Sequence, residues 1–484
     1  MSGRRGDGRP DDHDGDDPPS RLTPAPEVAE RATGGGRTRA AMGRPPGDRT
    51  VDEPLTSLPP VEPLPAPSTL PTSSQLGLGD VTSASVSTVR DVRDLLPVFE
   101  GVDLPLLTAV VTLVAIGMVM VMTASSHFGM LTEQSVWAYG IKQAIAIGLG
   151  VFAALVVMLM PYRWLRSVPV PFYVATLVVL ALVQSPLGVE VKGAQRWLDL
   201  GPLRLQPSEI AKLSISLLLA RHFYINRGRS DDFWGVLVPV GIWLSPATGL
   251  VLLQRDLGQT ILLLGITGVA IMVGGTPMRW MTAFLGGVAS LVLIAVAFEP
   301  YRVTRVLNFL DPLSTAEAEG LQVAQGWVAI AVGGPWGVGL GNGVAQQGFL
   351  PEAHTDMILA VIGEETGVLG MLVVLVLELV VIARGMGIAA RAHDMFEMVG
   401  SACITSYLGA QVIINVAVVG GFAPPKGLVL PFVSYGASAM IFNIIAVAIL
   451  LRMGLEGHRT RAKERVCSEE KSKSSTLSGS AASG

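Results

Sequence analysis

The chain has 484 residues, of which 50% are hydrophobic and only 15% charged, and its mean hydropathy is +0.51. That balance excludes an ordinary soluble domain of this size, and a net charge of −4 argues against nucleic acid as a main partner. Cys403 and Cys467 are the only cysteines, so there is no disulfide framework and no metal-ligand spacing built on cysteine.

Residues 1–100 carry 15 of the 32 prolines, 27 charged residues and a single aromatic, Phe99. Such a segment cannot bury enough apolar surface to offset its ordering entropy, and it is expected to be a disordered extension. No apolar core with a small-residue cleavage site lies near Met1, so the first spanning helix is expected to direct insertion itself.

Between the extension and the tail the chain breaks into apolar runs long enough to cross about 30 Å of hydrocarbon. Spans are expected near 104–124, 139–160, 168–185, 207–223, 234–253, 257–274, 279–298, 356–384, 398–420 and 431–453. The expected fold is an all-α polytopic membrane protein with ten transmembrane helices, its membrane domain covering 101–454. The remaining residues, 455–484, read as a disordered tail that begins basic with Arg459, Arg461, Lys463 and Arg465. That basic stretch suits either a solvated flank of the last span or a contact with anionic lipid or a cytosolic partner.

An even number of spans puts both termini on one side, and the basic flanks place that side in the cytoplasm. The loops then hold eight cations inside and seven outside, the latter being Lys192, Arg196, Arg204, Arg255, Arg302, Arg305 and Lys426. So weak a bias calls for a reason to keep cations outside, either carboxylate partners or an anionic ligand. The longest connection, about 57 residues between the seventh and eighth spans, lies on the same outer side. Its Trp327, Trp336 and apolar stretches argue for short amphipathic or re-entrant helices folded over the membrane surface.

Five segments carry the polar chemistry. Lys192-Gly193-Ala-Gln-Arg196 precedes Gln206-Pro207-Ser208-Glu209, a helix start, and Glu209 with Lys212 share one helix face. The pair is either a structural anchor or a substrate contact. Gln254-Arg255-Asp256 lies at the mouth of the fifth and sixth spans, where Asp256 is open to a capping role. Asp311-Pro312 holds a carboxylate in extended backbone, although a lone Asp-Pro is more often a plain turn. Pro351-Glu352-Ala-His354-Thr-Asp356 leads into a span bearing Glu364 and Glu365, so costly in lipid that at least one should face a polar cavity or a cation. Pro425-Lys426-Gly427 and Pro431-Phe432-Val-Ser434-Tyr435-Gly436 suit unwound backbone lining a cavity.

Taken together and in this order, the motifs resemble the SEDS family (shape, elongation, division and sporulation) over residues 104–453, and the Pro-Glu-Ala-His-Thr-Asp and Lys-Gly signatures look more like its division branch than its elongation branch. The chain has Arg255 and Ala437 where the family usually has Pro and Gly. The resemblance implies a ten-helix glycosyltransferase that polymerises lipid II at the outer face of the bacterial cytoplasmic membrane, working with a class B penicillin-binding protein. It implies Asp311 as catalytic aspartate. As general base Asp311 would deprotonate the GlcNAc 4-hydroxyl that attacks the donor's anomeric carbon, giving a β-1,4 product. Lys192, Arg196, Glu209, Lys212, Asp256, His354, Asp356, Lys426 and Ser434 are the expected substrate contacts, with Lys192, Arg196, Lys426 or a divalent cation (magnesium or manganese) countering the leaving diphosphate. No organic cofactor is expected. Other division proteins are expected partners, through the cytoplasmic tails, and the septum is the expected location. A lipid II flippase and a non-catalytic division scaffold are the competing readings; no repeat between the halves supports the former.

Overall fold

A computed structural model describes residues 101–133, 135–191, 193–199, 201, 203–298, 318–424 and 427–481. Three expected site residues, Lys192, Asp311 and Lys426, and the whole expected N-terminal extension lie outside these residues.

Among the described residues, twelve α-helices follow in chain order: α1 Leu104–Glu133, α2 Ala138–Leu159, α3 Tyr162–Ser167, α4 Pro169–Leu182, α5 Pro207–Ile225, α6 Val238–Leu253, α7 Leu257–Val273, α8 Met278–Ala297, α9 Ala318–Gly333, α10 Ile358–Ala390, α11 Met395–Val419 and α12 Ala437–Ala481. A helix occupies each of the ten segments expected to span. Among the described residues, seven helical segments are long and apolar enough to cross a membrane. Two of the other three, α4 and α7, are short, at 14 and 17 residues. The third, α5, carries Ser208, Glu209, Lys212, Ser214, Ser216, Arg221 and His222, which an apolar count penalises. Yet α5 is the most enclosed helix, packed by α4, α7 and α11, so most of its polar side chains face protein and not lipid. By contrast α8 has no buried residue, packs mainly on α7 and presents apolar side chains outward.

The all-α expectation needs one correction. The connection between α4 and α5 carries a three-stranded antiparallel sheet, β1 Gly188–Val191, β2 Ala194–Asp199 and β3 Arg204–Leu205, with Val191 opposite Ala194. Alternating Val189, Glu190, Val191 is the period-2 pattern of a half-buried strand, eclipsed by the longer apolar runs around it. The last helix, α12, continues past the span expected to 453 and reaches Ala481. Its Ala, Lys, Arg and Glu residues are good helix formers, so the loss of apolar surface does not end the helix.

Within the long connection, α9 and a 3-10 turn at Ala345–Gln347 occupy described residues. They dock on a break in α10. Gly367 adopts φ 73°, ψ −178°, a conformation essentially reserved for glycine, and a Cβ there would sit 2.3 Å from the Pro335 carbonyl oxygen. The loop after α9 then makes the hydrogen bonds the broken helix forgoes: Val338 N donates to Glu364 O (2.9 Å), Gly339 N to Glu365 O (3.0 Å), and Val368 N to Gly334 O (2.9 Å). Trp327 Nε1 donates to Val419 O (3.1 Å), tying α9 to the end of α11.

Candidate active site

The site is built at the end of the bundle that carries the hairpin. Pro207 starts α5 there, and Gln206 N donates to Ser438 Oγ (3.0 Å), which in turn donates to Arg204 O (2.7 Å). This joins the start of α5 to the start of α12. Three turns of α5 side chains are sealed inside the bundle, among them Glu209 and Lys212, whose Oε2 and Nζ lie 2.8 Å apart with both side chains no more than 2% exposed. Gln259 of α7 donates Nε2 to the other carboxylate oxygen (2.9 Å), and the Tyr407 ring of α11 lies 5.4 Å from Nζ. The buried charges thus have a counterion, one amide and one aromatic face.

A second group hangs on Arg196. From β2 it donates Nε to Gln254 O (3.1 Å) and one terminal nitrogen to Arg255 O (2.6 Å), while its other terminal nitrogen lies 3.9 Å from Asp256 Oδ2. The guanidinium holds the carbonyl end of α6, where orphan acceptors and the helix dipole favour a cation. Asp256 caps the next helix, accepting from Gln259 N (3.1 Å). Burial pushes the Asp256 carboxyl above the ordinary aspartate range, against the pull of Arg196 and of the Gln259 amide; Glu209 pushes the same way and Lys212 opposes it. Gln259 therefore links the two groups through its backbone and its side chain.

The third group is aromatic. His354 is buried, and the rings of Tyr139, Phe128 and Tyr435 lie 5.1, 5.4 and 5.6 Å from it. Tyr435 N donates to His354 O (2.8 Å), and Asn415 Nδ2 bridges Asp356 O (2.9 Å) and Leu428 O (3.1 Å). The Asp356 side chain accepts from Thr355 Oγ1 (2.9 Å). Lys142 of α2, which lies inside a stretch read as plain span, stands 5.8 Å from the Tyr139 ring. Its signal was available, since a lysine in the first turns of an apolar span is costly without a purpose. Tyr407, Gln259 and Asn415 had no local signal that named their partners.

Ser434 supports its own turn. Its hydroxyl accepts from Leu430 N (2.8 Å) and its carbonyl from Gln143 Nε2 (3.3 Å), so it holds its own turn to α2. Gly117 of α1 allows this turn to approach, because a Cβ there would fall 2.5 Å from Phe432 O. Phe432, Glu352 and Arg255 are the non-glycine residues with positive φ among the described residues, at 61°, 55° and 57°. Each sits in one of the polar motifs, as backbone strain retained at functional loops does.

Glu364 and Glu365 part ways. Glu364 Oε1 accepts from Val344 N (2.8 Å) and Oε2 from Ala345 N (3.1 Å), capping the 3-10 turn. Glu365 is buried with Gly341, Thr123 and Gln346 around it, yet neither carboxylate oxygen makes a well-formed hydrogen bond. Among the described residues, no three His, Cys, Asp or Glu side chains converge to hold a metal ion.

A bundle of apolar helices around a charged helix, with the described polar motifs joined at one end, defines a multi-pass membrane protein. The model of the cell cycle proteins FtsW, RodA and SpoVE matches residues 104–458, and the chain belongs to that family. It is 38% identical over 375 residues to a probable peptidoglycan glycosyltransferase FtsW of Marinobacter nauticus, covering 76% of this chain and 93% of the relative. The counterpart from Allochromatium vinosum is 37% identical over 368 residues, covering 75% and 92%. Among solved structures, one chain from work on the structural coordination of polymerization and crosslinking by a peptidoglycan synthase complex superposes with TM-score 0.62 at 31% identity, over 74% of this chain and 98% of that one. The rod shape determining protein RodA of Thermus thermophilus superposes with TM-score 0.55 at 27% identity, over 74% and 98%.

Proposed function

We propose that the chain is a peptidoglycan glycosyltransferase of the FtsW type, polymerising lipid II into β-1,4 glycan strands. The observation that carries the reading is the junction of the hairpin, the Gln-Arg-Asp turn, the Pro-Glu-Ala-His-Thr-Asp loop and the Ser-Tyr-Gly loop at one end of the bundle, in a chain whose relatives named for that activity match it over nearly their full length. A flippase needs substrate-binding groups reachable from both sides in turn, whereas these four motifs are joined to one another at one end.

In the proposed mechanism Asp311 is the general base. It takes the proton of the acceptor's GlcNAc 4-hydroxyl from within about 3 Å as the oxygen attacks the donor's anomeric carbon. The undecaprenyl diphosphate leaves from the opposite face, which inverts the α-linkage to β. Charge growing on the diphosphate is met by Lys192, Lys426 and Lys142, while Arg196 acts by holding the α6 turn and Asp256 beside it. The Glu209–Lys212 pair keeps the start of α5 in place beneath the reacting groups.

The proposed setting follows from the same reading. Ten spans cross the bacterial cytoplasmic membrane, both termini are cytoplasmic, and the long connection between the seventh and eighth spans is outside. The protein acts at the division septum with a class B penicillin-binding protein, and its tails meet other division proteins. The deciding experiment is lipid II polymerisation by the purified protein with that partner, wild type beside Asp311→Ala. Strands from wild type alone establish the activity and its base. Absence of strands from both, with the complex intact, refutes the proposal.

A further inference from the structure

At the opposite end of the bundle, the start of α1, the end of α10, the first turn of α11 and the middle of α12 enclose a cavity of about 400 Å³. Its charged lining is Asp103, Arg384, Arg391, Glu397, His458 and Arg461. The two acids are already engaged. Asp103 accepts from Arg384 Nε (2.9 Å) and from a terminal nitrogen of the same guanidinium (2.6 Å), and it caps α1 through Leu106 N (3.2 Å). Glu397 accepts from His393 N (3.0 Å).

The cations are less well matched. The Arg391 guanidinium makes no ion pair or hydrogen bond among the described residues, although it lines a cavity that holds a carboxylate. Arg461 donates Nε to Gly457 O (2.9 Å), and its terminal nitrogens make no ion pair among the described residues. With Arg384 balanced by Asp103, two guanidiniums face the single carboxylate of Glu397, and His458 adds positive charge when protonated. The amide end of the 30-residue α1 opens on the same space and adds a positive partial charge.

The depth of the cavity names its ligand. Leu104 and Leu107, 64% and 37% exposed, begin the outward apolar surface of α1 at the rim, and Arg384 and Arg391 stand where the apolar surface of α10 ends. An edge between apolar and cationic surface of this kind suits the level where hydrocarbon gives way to headgroups. We infer that it binds a phosphate group, carried by the headgroup of an anionic phospholipid, between Arg391 and Arg461. Guanidinium forks suit a phosphate's paired oxygens, and the acyl chains of such a lipid would lie along the exposed face of α1. Inorganic phosphate has the same recognition chemistry and is the other source the test separates.

The test uses the full chain in detergent. Native mass spectrometry with equimolar phosphatidylglycerol and phosphatidylcholine reads lipid preference, and a thermal-shift titration with sodium phosphate reads the soluble anion. Arg391→Gln with Arg461→Gln is compared with Arg163→Gln plus Arg229→Gln, exposed arginines at the same end of the bundle that do not line the cavity and remove the same charge. Wild type should retain phosphatidylglycerol over phosphatidylcholine, and the cavity double variant should lose that preference about tenfold, as expected for one lost charge-assisted interaction. The control pair should keep it. A difference confined to the phosphate titration assigns the site to soluble phosphate instead. Equal loss in both double variants, or no difference from wild type in either measurement, overturns the inference. Neither readout involves polymerisation, so either result leaves the proposed activity untouched.

Discussion

Replacing Lys212 by methionine probes the centre of the bundle most directly. The side chain is 1% exposed, and its Nζ lies 2.8 Å from Glu209 Oε2, an oxygen with no other hydrogen-bond partner. Without Lys212 the carboxylate keeps only Gln259 on its other oxygen. Removing one member of such a pair strands an uncompensated charge and costs about 3–5 kcal/mol, to which the lost contact with the Tyr407 ring adds about 0.5–2 kcal/mol. The double variant Glu209→Gln with Lys212→Met carries no buried charge and should recover most of that loss. Urea or thermal unfolding of the full chain in one detergent, followed by tryptophan fluorescence, measures both. A Lys212→Met protein within about 1 kcal/mol of wild type, or a double variant no more stable than the single, would refute the reasoning. The same proteins separate the two readings of the pair: a stable but inactive double variant gives it a part in the reaction, and a stable active one makes it an anchor.

Asp256→Asn should keep the α7 cap while removing a carboxyl that burial holds above its ordinary range. In the wild type the folded state binds that proton more tightly than the unfolded chain, so stability rises as pH falls from the raised folded value toward about 3.9; Asn should remove this part of the slope in unfolding measured across acid pH. Gly367→Ala should cost at least about 1–3 kcal/mol from backbone strain alone, and its clash with Pro335 O should appear as loss of protection from proteolysis around residues 334–343. Glu364→Ala leaves the Val344 and Ala345 amides without their acceptor, an expected loss of about 1–3 kcal/mol localised by hydrogen exchange to that turn. Lys142→Met should slow lipid II polymerisation at least tenfold with an unchanged unfolding midpoint; full activity would remove Lys142 from the proposed diphosphate contacts.

The helices were legible in the sequence because each spanning run must supply its own apolar surface and satisfy its own backbone, a requirement written locally in composition. The motifs were legible for a related reason: Glu209, Lys212, Asp256, His354 and Asp356 are expensive at or near membrane depth, and their cost marks them. The sequence also suggested that at least one of Glu364 and Glu365 faces a polar cavity or a cation, but two adjacent residues of one helix look alike until the neighbours are known. Only the tertiary structure decided that Glu364 caps a distant turn and Glu365 does not. The same holds for Ser434, whose hydroxyl is used within its own turn, and for Arg196, which clamps the end of α6 across 58 residues of chain. The short hairpin was missed because its period-2 pattern is weak beside the long apolar runs. A polar side chain announces in sequence that it needs a partner; which partner it finds depends on helix packing, which brings together residues hundreds of positions apart.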